Sequence, residues 1–128
     1  MSMLTEFMTH DPRTAGPALT LVEACRKMKE SRSSYLIIEE KGLPIGILTE
    51  ADIARKAIPD GLNLATTQVK DLMSKPVATI EPTRTMEEVN TIMKTRGFRH
   101  LVVVEGQKIV GMVTLLGLLR YFEQKSQK

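Results

Sequence analysis

The sequence is poor in cysteine and in aromatic residues, and both shortages limit what the protein can be. Its 128 residues include one cysteine, Cys25, so an intrachain disulfide framework and a cysteine-rich zinc site are both excluded. Phe, Trp and Tyr make up only 4 % of the chain, which is too little for the stacking platform that single-stranded nucleic acids require. We therefore expect a reducing compartment and a hydrophobic core, with Cys25 as a small core residue.

Long apolar runs are also missing. No stretch approaches the roughly 20 apolar residues that a membrane-spanning helix needs. The N-terminal segment contains Glu6 and His10 and lacks the apolar core of a signal peptide. The sequence therefore predicts a cytoplasmic protein without a membrane partner.

The excess of positive charge is small. There are 18 Lys and Arg residues against 15 Asp and Glu residues, for a formal net charge of +3. Because the basic residues are spread along the chain, nucleic-acid binding is not expected, although a pI of about 9.1 keeps it as a third hypothesis. The 42 % of apolar residues is typical of a globular domain.

The strongest internal signal is a duplication. Residues 8–56 align without a gap on residues 73–121, with a shift of 65 positions, the separation of Gly46 and Gly111. Identical pairs include Met8/Met73, Thr20/Thr85, Glu23/Glu88, Met28/Met93, Gly46/Gly111, Thr49/Thr114 and Arg55/Arg120. Turn residues and apolar residues stay in phase together, so the chain is predicted to be two copies of one structural unit.

Each copy predicts the order strand, helix, strand, strand, helix. The first helix begins at a capping-box pattern, Thr20-x-x-Glu23 or Thr85-x-x-Glu88. The two strands that follow are predicted at Tyr35–Glu39 and Pro44–Leu48, and in the second copy at His100–Glu105 and Lys108–Val113. The last helix is expected to begin at Thr49 or Thr114 and to run to about Ala57 or Gln124.

The two copies differ chemically at the turn before their last helix. The first copy reads Gly46-Ile47-Leu48-Thr49-Glu50-Ala51-Asp52, with a hydroxyl followed three residues later by a carboxylate. The second reads Gly111-Met112-Val113-Thr114-Leu115-Leu116-Gly117, with glycine in place of the acid. The Asp52 carboxylate can accept hydrogen bonds from two hydroxyls at once. The Thr49/Asp52 pair is also a plain capping pattern, and that alternative stays open.

The element order, the repeat and the Gly-apolar-apolar-Thr-x-x-Asp turn resemble the cystathionine-β-synthase (CBS) domain family over about residues 3–124. The resemblance implies an α+β fold with two β-α-β-β-α CBS repeats packed sheet-to-sheet with pseudo-two-fold symmetry. Repeat 1 would be residues 1–59, the connector residues 60–70 and repeat 2 residues 71–128, together one Bateman module.

The same resemblance implies a function. Such modules commonly bind an adenosine-containing ligand (AMP, ADP, ATP or S-adenosylmethionine) in a cleft between the repeats. We accordingly expect a stand-alone regulatory or energy-sensing homodimer that modulates a partner protein, whose identity is unknown. The alternative is a ligand-independent dimeric scaffold with a vestigial cleft. An enzyme is not expected, because the sequence contains no nucleophile–base pair, metal-ligand spacing or glycine-rich phosphate loop.

The predicted ligand site has two parts. In the first copy, Asp52 would accept the ribose hydroxyls, Thr49 would offer its hydroxyl, and Ile47 would line the base or ribose. The resemblance adds a second wall, in which basic residues meet phosphate and His100 gains charge when protonated; it comprises Val77, Ala78, Phe98, Arg99 and His100.

The mirror-image turn is poorly equipped for the same ligand. It pairs Thr114 and Gly117 with Ser33, Ser34 and Tyr35, and so lacks both the acid and the cations. We expect that cleft to be empty, weak or adapted to something else.

Overall fold

In a computed structural model, which describes residues 2–126, the chain forms two compact units. The first unit is Arg13–Val77. The second unit combines the described residues of Met1–Pro12 with those of Ala78–Lys128. Each unit therefore contains the helix and the strand pair of one sequence repeat.

The regular elements follow the order that the sequence predicts. In chain order they are β1 (Thr9–His10), β2 (Thr14–Ala15), α1 (Leu21–Ser31), β3 (Tyr35–Glu40), β4 (Leu43–Thr49), α2 (Glu50–Asp52), β5 (Thr79–Ile80), α3 (Met86–Arg96), β6 (His100–Glu105), β7 (Lys108–Thr114) and α4 (Leu115–Ser126). α2 continues directly as a π-helical turn, Ile53–Ala57, so this segment ends where predicted but is not a regular α-helix. Short 3₁₀ turns cover Leu4–Glu6 and Val69–Asp71.

The first unit is built on the sheet β2-β3-β4, in which β2 is parallel and β4 antiparallel to β3. Its core is formed by the apolar side of α1 and by alternate residues of the strands. The buried members are Ala15, Leu21, Ala24, Met28, Leu36, Ile38, Leu48, Ala57, Val69 and Leu72. Cys25 is only half-buried, because Ala24 and Met28 occupy the centre of the buried face of α1, so its prediction as a core residue is wrong.

The second unit is built on the sheet β1-β7-β6-β5, with β5 parallel to β6 and the other neighbours antiparallel. Residues from the start of the chain complete its core. The buried members are Leu4, Phe7, Ala78, Ile80, Met86, Val89, Met93, Leu101, Val103, Val113, Leu118 and Tyr121. Met86, Val89 and Met93 form the buried face of α3.

In each unit, a segment near the start of one repeat packs on the hairpin of the other repeat; these crossing segments are residues 7–10 and 73–77. Thr9 and His10 pair with Met112 and Gly111 of β7. Ser74 exchanges backbone hydrogen bonds of 3.0 and 2.9 Å with Ile47 of β4. The spatial units thus divide the chain after Pro12 and after Val77, whereas the predicted ranges 1–59 and 71–128 describe the sequence repeat.

Two identities of the repeat are explained by this packing. The Met73 side chain lies directly over Gly46, where a Cβ atom would overlap it. In the second unit, a Cβ atom on Gly111 would lie 2.5 Å from Sδ of Met8 and 3.0 Å from the carbonyl oxygen of Thr9. Glycine is required in the strand because a methionine from the crossing segment occupies the space of a side chain.

Both predicted capping boxes are confirmed. The Glu23 N–H donates to Thr20 Oγ1 at 3.3 Å, and the Glu88 N–H donates to Thr85 Oγ1 at 3.2 Å. The glutamate side chains accept in return from the backbone N–H of Thr20 and Thr85. Each box satisfies donors that the first helical turn would otherwise leave unpaired.

The cap of α3 allows the contribution of a capping box to the free energy of unfolding to be measured. Thr85→Ala removes the side-chain acceptor for the Glu88 N–H and is expected to lower the free energy of unfolding by about 1 kcal/mol. Thr83→Ala, at an exposed position just before the helix, is the control and should change it by less than about 0.5 kcal/mol. Urea unfolding measures both, and equal effects of the two variants would contradict the prediction.

Candidate functional site

The turn that joins β4 to α2 forms a closed capping box. The Asp52 N–H donates to Thr49 Oγ1 at 3.1 Å, and the Thr49 N–H donates to Asp52 Oδ2 at 2.9 Å. The capping role of Thr49 and Asp52, which the sequence left open as an alternative, is therefore present in the structure. A cap does not exhaust the carboxylate, because its two oxygens offer about four acceptor positions.

Asp52 has an unusual environment for a carboxylate. Only 8 % of its surface is exposed, and among residues 2–126 it is the one charged residue that is buried as a whole. A buried charge is tolerated only when it is paired or hydrogen-bonded. Its second oxygen, Oδ1, lies 3.1 Å from Nζ of Lys56, one helical turn further along. The carboxylate is thus held in a fixed orientation from both sides.

The first unit contains two further predicted ligand residues. Ile47 lies beside the crossing segment, and Val77 belongs to it. Ile47 is buried in β4, opposite Ile37 in the register, and its backbone pairs with Ser74. Val77 is half-buried at the end of the same segment. The first unit therefore contains Ile47, Thr49, Asp52 and Val77.

The remaining predicted residues belong to the second unit. Ala78 is buried, and its carbonyl accepts from the Val102 N–H at 2.9 Å. Phe98 is half-buried, and the Arg96 guanidinium lies 5.1 Å from the centre of its ring. Arg99 is exposed, and His100 is half-buried at the start of β6.

Arg99 and His100 are joined through the backbone to the start of α4. The Arg99 carbonyl accepts from the Leu115 N–H at 3.0 Å, and His100 lies opposite Thr114 in the register of β6 and β7. The same bond exists in the first unit, where the Glu50 N–H donates to the Ser34 carbonyl at 3.0 Å. Residues 34 and 99 thus occupy equivalent places in the two units, as the repeat predicts.

The second turn keeps only part of this arrangement. The Gly117 N–H donates to Thr114 Oγ1 at 3.3 Å, as Asp52 does to Thr49. A Cβ atom on Gly117 would lie 2.9 Å from the carbonyl oxygen of Phe7, which follows the first 3₁₀ turn. An acidic side chain is therefore excluded at this position by the crossing segment.

Lys56 is a residue of the site that the sequence reasoning missed. Its spacing of four residues from Asp52 is the signal that could have found it, because such residues are neighbours on a helix surface. The equivalent residue of the repeat is Tyr121, which is buried. Its ring packs edge-on against Phe7 with centroids 5.4 Å apart, and its hydroxyl donates to Glu87.

Two pKa shifts follow from that last hydrogen bond. The Tyr121 hydroxyl stabilises the carboxylate, so it lowers the pKa of Glu87, and the neighbouring Lys125 acts in the same direction. The same bond raises the pKa of Tyr121. The position that carries a cation in the first unit therefore carries a neutral phenol in the second.

Cys25 is not poised for reaction. Burial raises the pKa of its thiol, and the charge of Glu50 raises it further. The thiolate is the nucleophilic form of cysteine, so a raised pKa disfavours nucleophilic chemistry at this residue.

Neither a metal-ligand group nor a membrane-spanning helix is found within the described part of the chain. Over residues 2–126, no group of three or more His, Cys, Asp or Glu side chains is placed to hold a metal ion. None of the helices described in that range combines the length and the apolar character needed to cross a membrane.

Comparisons with known proteins identify both halves of the repeat. A family model described as the CBS domain matches residues 4–58 and 69–124. An uncharacterized protein of Methanopyrus kandleri is 36 % identical over 117 residues, which are 90 % of this chain and 60 % of that protein. A CBS domain-containing protein of Arabidopsis thaliana is 36 % identical over 104 residues, 80 % of this chain but 19 % of the relative.

The fold is shared with solved structures. A hexameric CBS-CP12 protein from bloom-forming cyanobacteria superposes with a TM-score of 0.83 at 27 % identity, covering 93 % of this chain and 70 % of the other. The match spans 60 % and 19 % of the lengths of the two relatives described above, which is less than two thirds in both cases, so the activities of those whole proteins do not transfer with the likeness.

The close approach at Gly117 gives a stability prediction. Gly117→Ala places a Cβ atom against a backbone carbonyl that cannot rotate away, so we expect a loss of about 1–3 kcal/mol in the free energy of unfolding. Gly16→Ala is the matched control, because nothing lies within 4 Å of the position that its Cβ atom would take. Thermal unfolding compares the two, and a Gly117→Ala protein as stable as the control would refute the steric explanation.

Proposed function

Because the chain belongs to the CBS domain family, whose domains are typically regulatory and ligand-binding, we propose that it is a regulatory module that binds an adenosine-containing ligand. AMP, ADP, ATP and S-adenosylmethionine are the candidates. Occupancy would change the affinity for a partner protein. The observation that carries the proposal is the buried, pre-oriented carboxylate of Asp52.

Asp52 suits the two neighbouring hydroxyls of a ribose. Its orientation is fixed by Thr49 and Lys56, so little side-chain entropy is lost when a ligand binds. Hydrogen bonds to a charged group contribute about 1.5–3 kcal/mol. Burial strengthens them further, because the local dielectric constant is lower than in water.

The other predicted ligand residues enter the proposal on the strength of the family resemblance. Arg99 is exposed, so its guanidinium is accessible to a phosphate. Ile47, Val77, Ala78, Phe98 and His100 are proposed as further contacts of the base, ribose and phosphate. The module would be non-catalytic and would act in energy sensing.

A specific observation favours the second candidate, a ligand-independent scaffold. Both oxygens of Asp52 already have partners within their own turn, Thr49 and Lys56. The carboxylate is therefore satisfied without a ligand, as it would be if its purpose were structural. The two candidates differ in whether nucleotides bind at all.

Self-association is part of both candidates. α4 buries Gly117, Leu118 and Tyr121 on one side. Its opposite side exposes an apolar stripe formed by Leu115, Leu116, Leu119 and Phe122. We propose that a second copy of the chain covers this stripe, since exposed apolar patches of this kind mark interaction surfaces. The hexameric state named for the cyanobacterial CBS-CP12 protein supports self-association.

Calorimetry tests the ligand proposal. Protein shown by mass spectrometry to be ligand-free is titrated with AMP, ADP, ATP and S-adenosylmethionine. Asp52→Asn should weaken binding by about ten- to a hundred-fold, because it removes the charged acceptor. Glu23→Gln, which changes the matched capping carboxylate of α1, and Thr114→Ala should leave affinity unchanged. Absence of heat with every ligand would favour the scaffold.

Light scattering tests the interface. Leu119→Glu places a charge in the middle of the apolar stripe and should convert the assembly to monomers, because an unpaired charge cannot be buried there. Leu43→Glu changes an exposed leucine of the first unit and is the control. The proposal fails if the wild-type protein is monomeric or if Leu119→Glu has the wild-type mass.

A further inference from the structure

The ion pair between Lys56 and Asp52 links a half-exposed side chain to a buried carboxylate. The Lys56 side chain is 50 % exposed, whereas the Asp52 side chain is 11 % exposed. Half of the Lys56 side chain is therefore in contact with solvent while its ammonium pairs with Oδ1. A ligand that donates hydrogen bonds to Oδ1 competes with this ammonium for the same oxygen.

The internal repeat offers a comparison within one molecule. The second unit lacks both members of the pair, with Gly117 at the position of Asp52 and Tyr121 at the position of Lys56. Arg55, the neighbour of Lys56, is kept as Arg120. Lysine is thus present where the acid is present, which links the function of Lys56 to Asp52.

Displacing the ammonium has a cost that depends on the ligand. A neutral nucleoside takes the place of Lys56 on Oδ1 and provides no new partner for its charge. A nucleoside phosphate brings an anion of its own. The lysine stem is long and flexible, so its ammonium can turn from the carboxylate to a phosphate.

We propose that Lys56 favours the binding of nucleoside phosphates over neutral nucleosides. Its ammonium would leave the Asp52 carboxylate and pair with the phosphate of the ligand. This inference rests on the proposed function, since it requires that Asp52 hold a ribose. It adds a phosphate-contacting cation to the first unit, which is separate from the predicted Arg99 and His100.

Calorimetry with adenosine and AMP provides the test, on wild-type protein, Lys56→Met, Lys56→Arg and Lys70→Met. The measured quantity is the ratio of the AMP affinity to the adenosine affinity. Lys56→Met should lower this ratio by about ten-fold or more, because AMP loses a charged partner while adenosine loses a competitor. Lys56→Arg should largely keep it. Lys70→Met removes one exposed ammonium from the same unit and should leave it unchanged.

The outcomes separate this inference from the proposed function. If wild-type protein binds AMP but Lys56→Met keeps the wild-type ratio, the role of Lys56 is refuted and the proposed function stands. A parallel loss of both affinities has the same meaning, since Lys56 would then only support the turn. If wild-type protein binds neither adenosine nor AMP, the inference about Lys56 fails, whereas the proposed function fails only if ADP, ATP and S-adenosylmethionine also give no heat. Lys56→Gln, a second variant without the charge, is studied in parallel. The inference requires that it lower the ratio of AMP to adenosine affinity as Lys56→Met does.

Discussion

The packing of each crossing segment on β4 or β7 is the constraint on which the two turns, Thr49–Asp52 and Thr114–Gly117, depend. Met8 and Met73 occupy the space above Gly111 and Gly46, so these strand positions must be glycine. The segments also pair with part of the outer edges of β7 and β4, at Gly111, Met112 and Ile47. One contact of this kind thus fixes the strand that leads into each turn.

The two turns are chemically unequal although they occupy equivalent places in the repeat. In the second unit the Phe7 carbonyl approaches Gly117 so closely that a side chain is excluded. In the first unit the equivalent place holds Asp52, together with its partner Lys56. The duplication therefore retained a framework and changed its contents, so that this turn carries a buried acid in the first unit and a glycine in the second.

The two copies have also diverged in what they expose. The last helical segment of the first unit is a single α-turn followed by a π-turn, and it carries the ion pair of Asp52 and Lys56. The corresponding helix of the second unit, α4, runs for 12 residues and exposes an apolar stripe that includes Leu119. Under the proposals made above, polar recognition and self-association would belong to different copies of the repeated helix.

The sequence by itself determined the repeat, the order of the elements, the capping boxes at Thr20 and Thr85, and the loss of the acid at Gly117. These features are local or periodic, so residue spacing encodes them directly. Only the tertiary structure decided which segment packs on which hairpin, why Gly117 cannot carry a side chain, and that Lys56 holds Asp52. The first two depend on contacts between residues about 30 to 110 positions apart, which spacing does not encode. The Lys56 contact is local and its spacing of four residues indicates it, but Arg55 is also close in sequence and only the structure shows which cation pairs with Asp52.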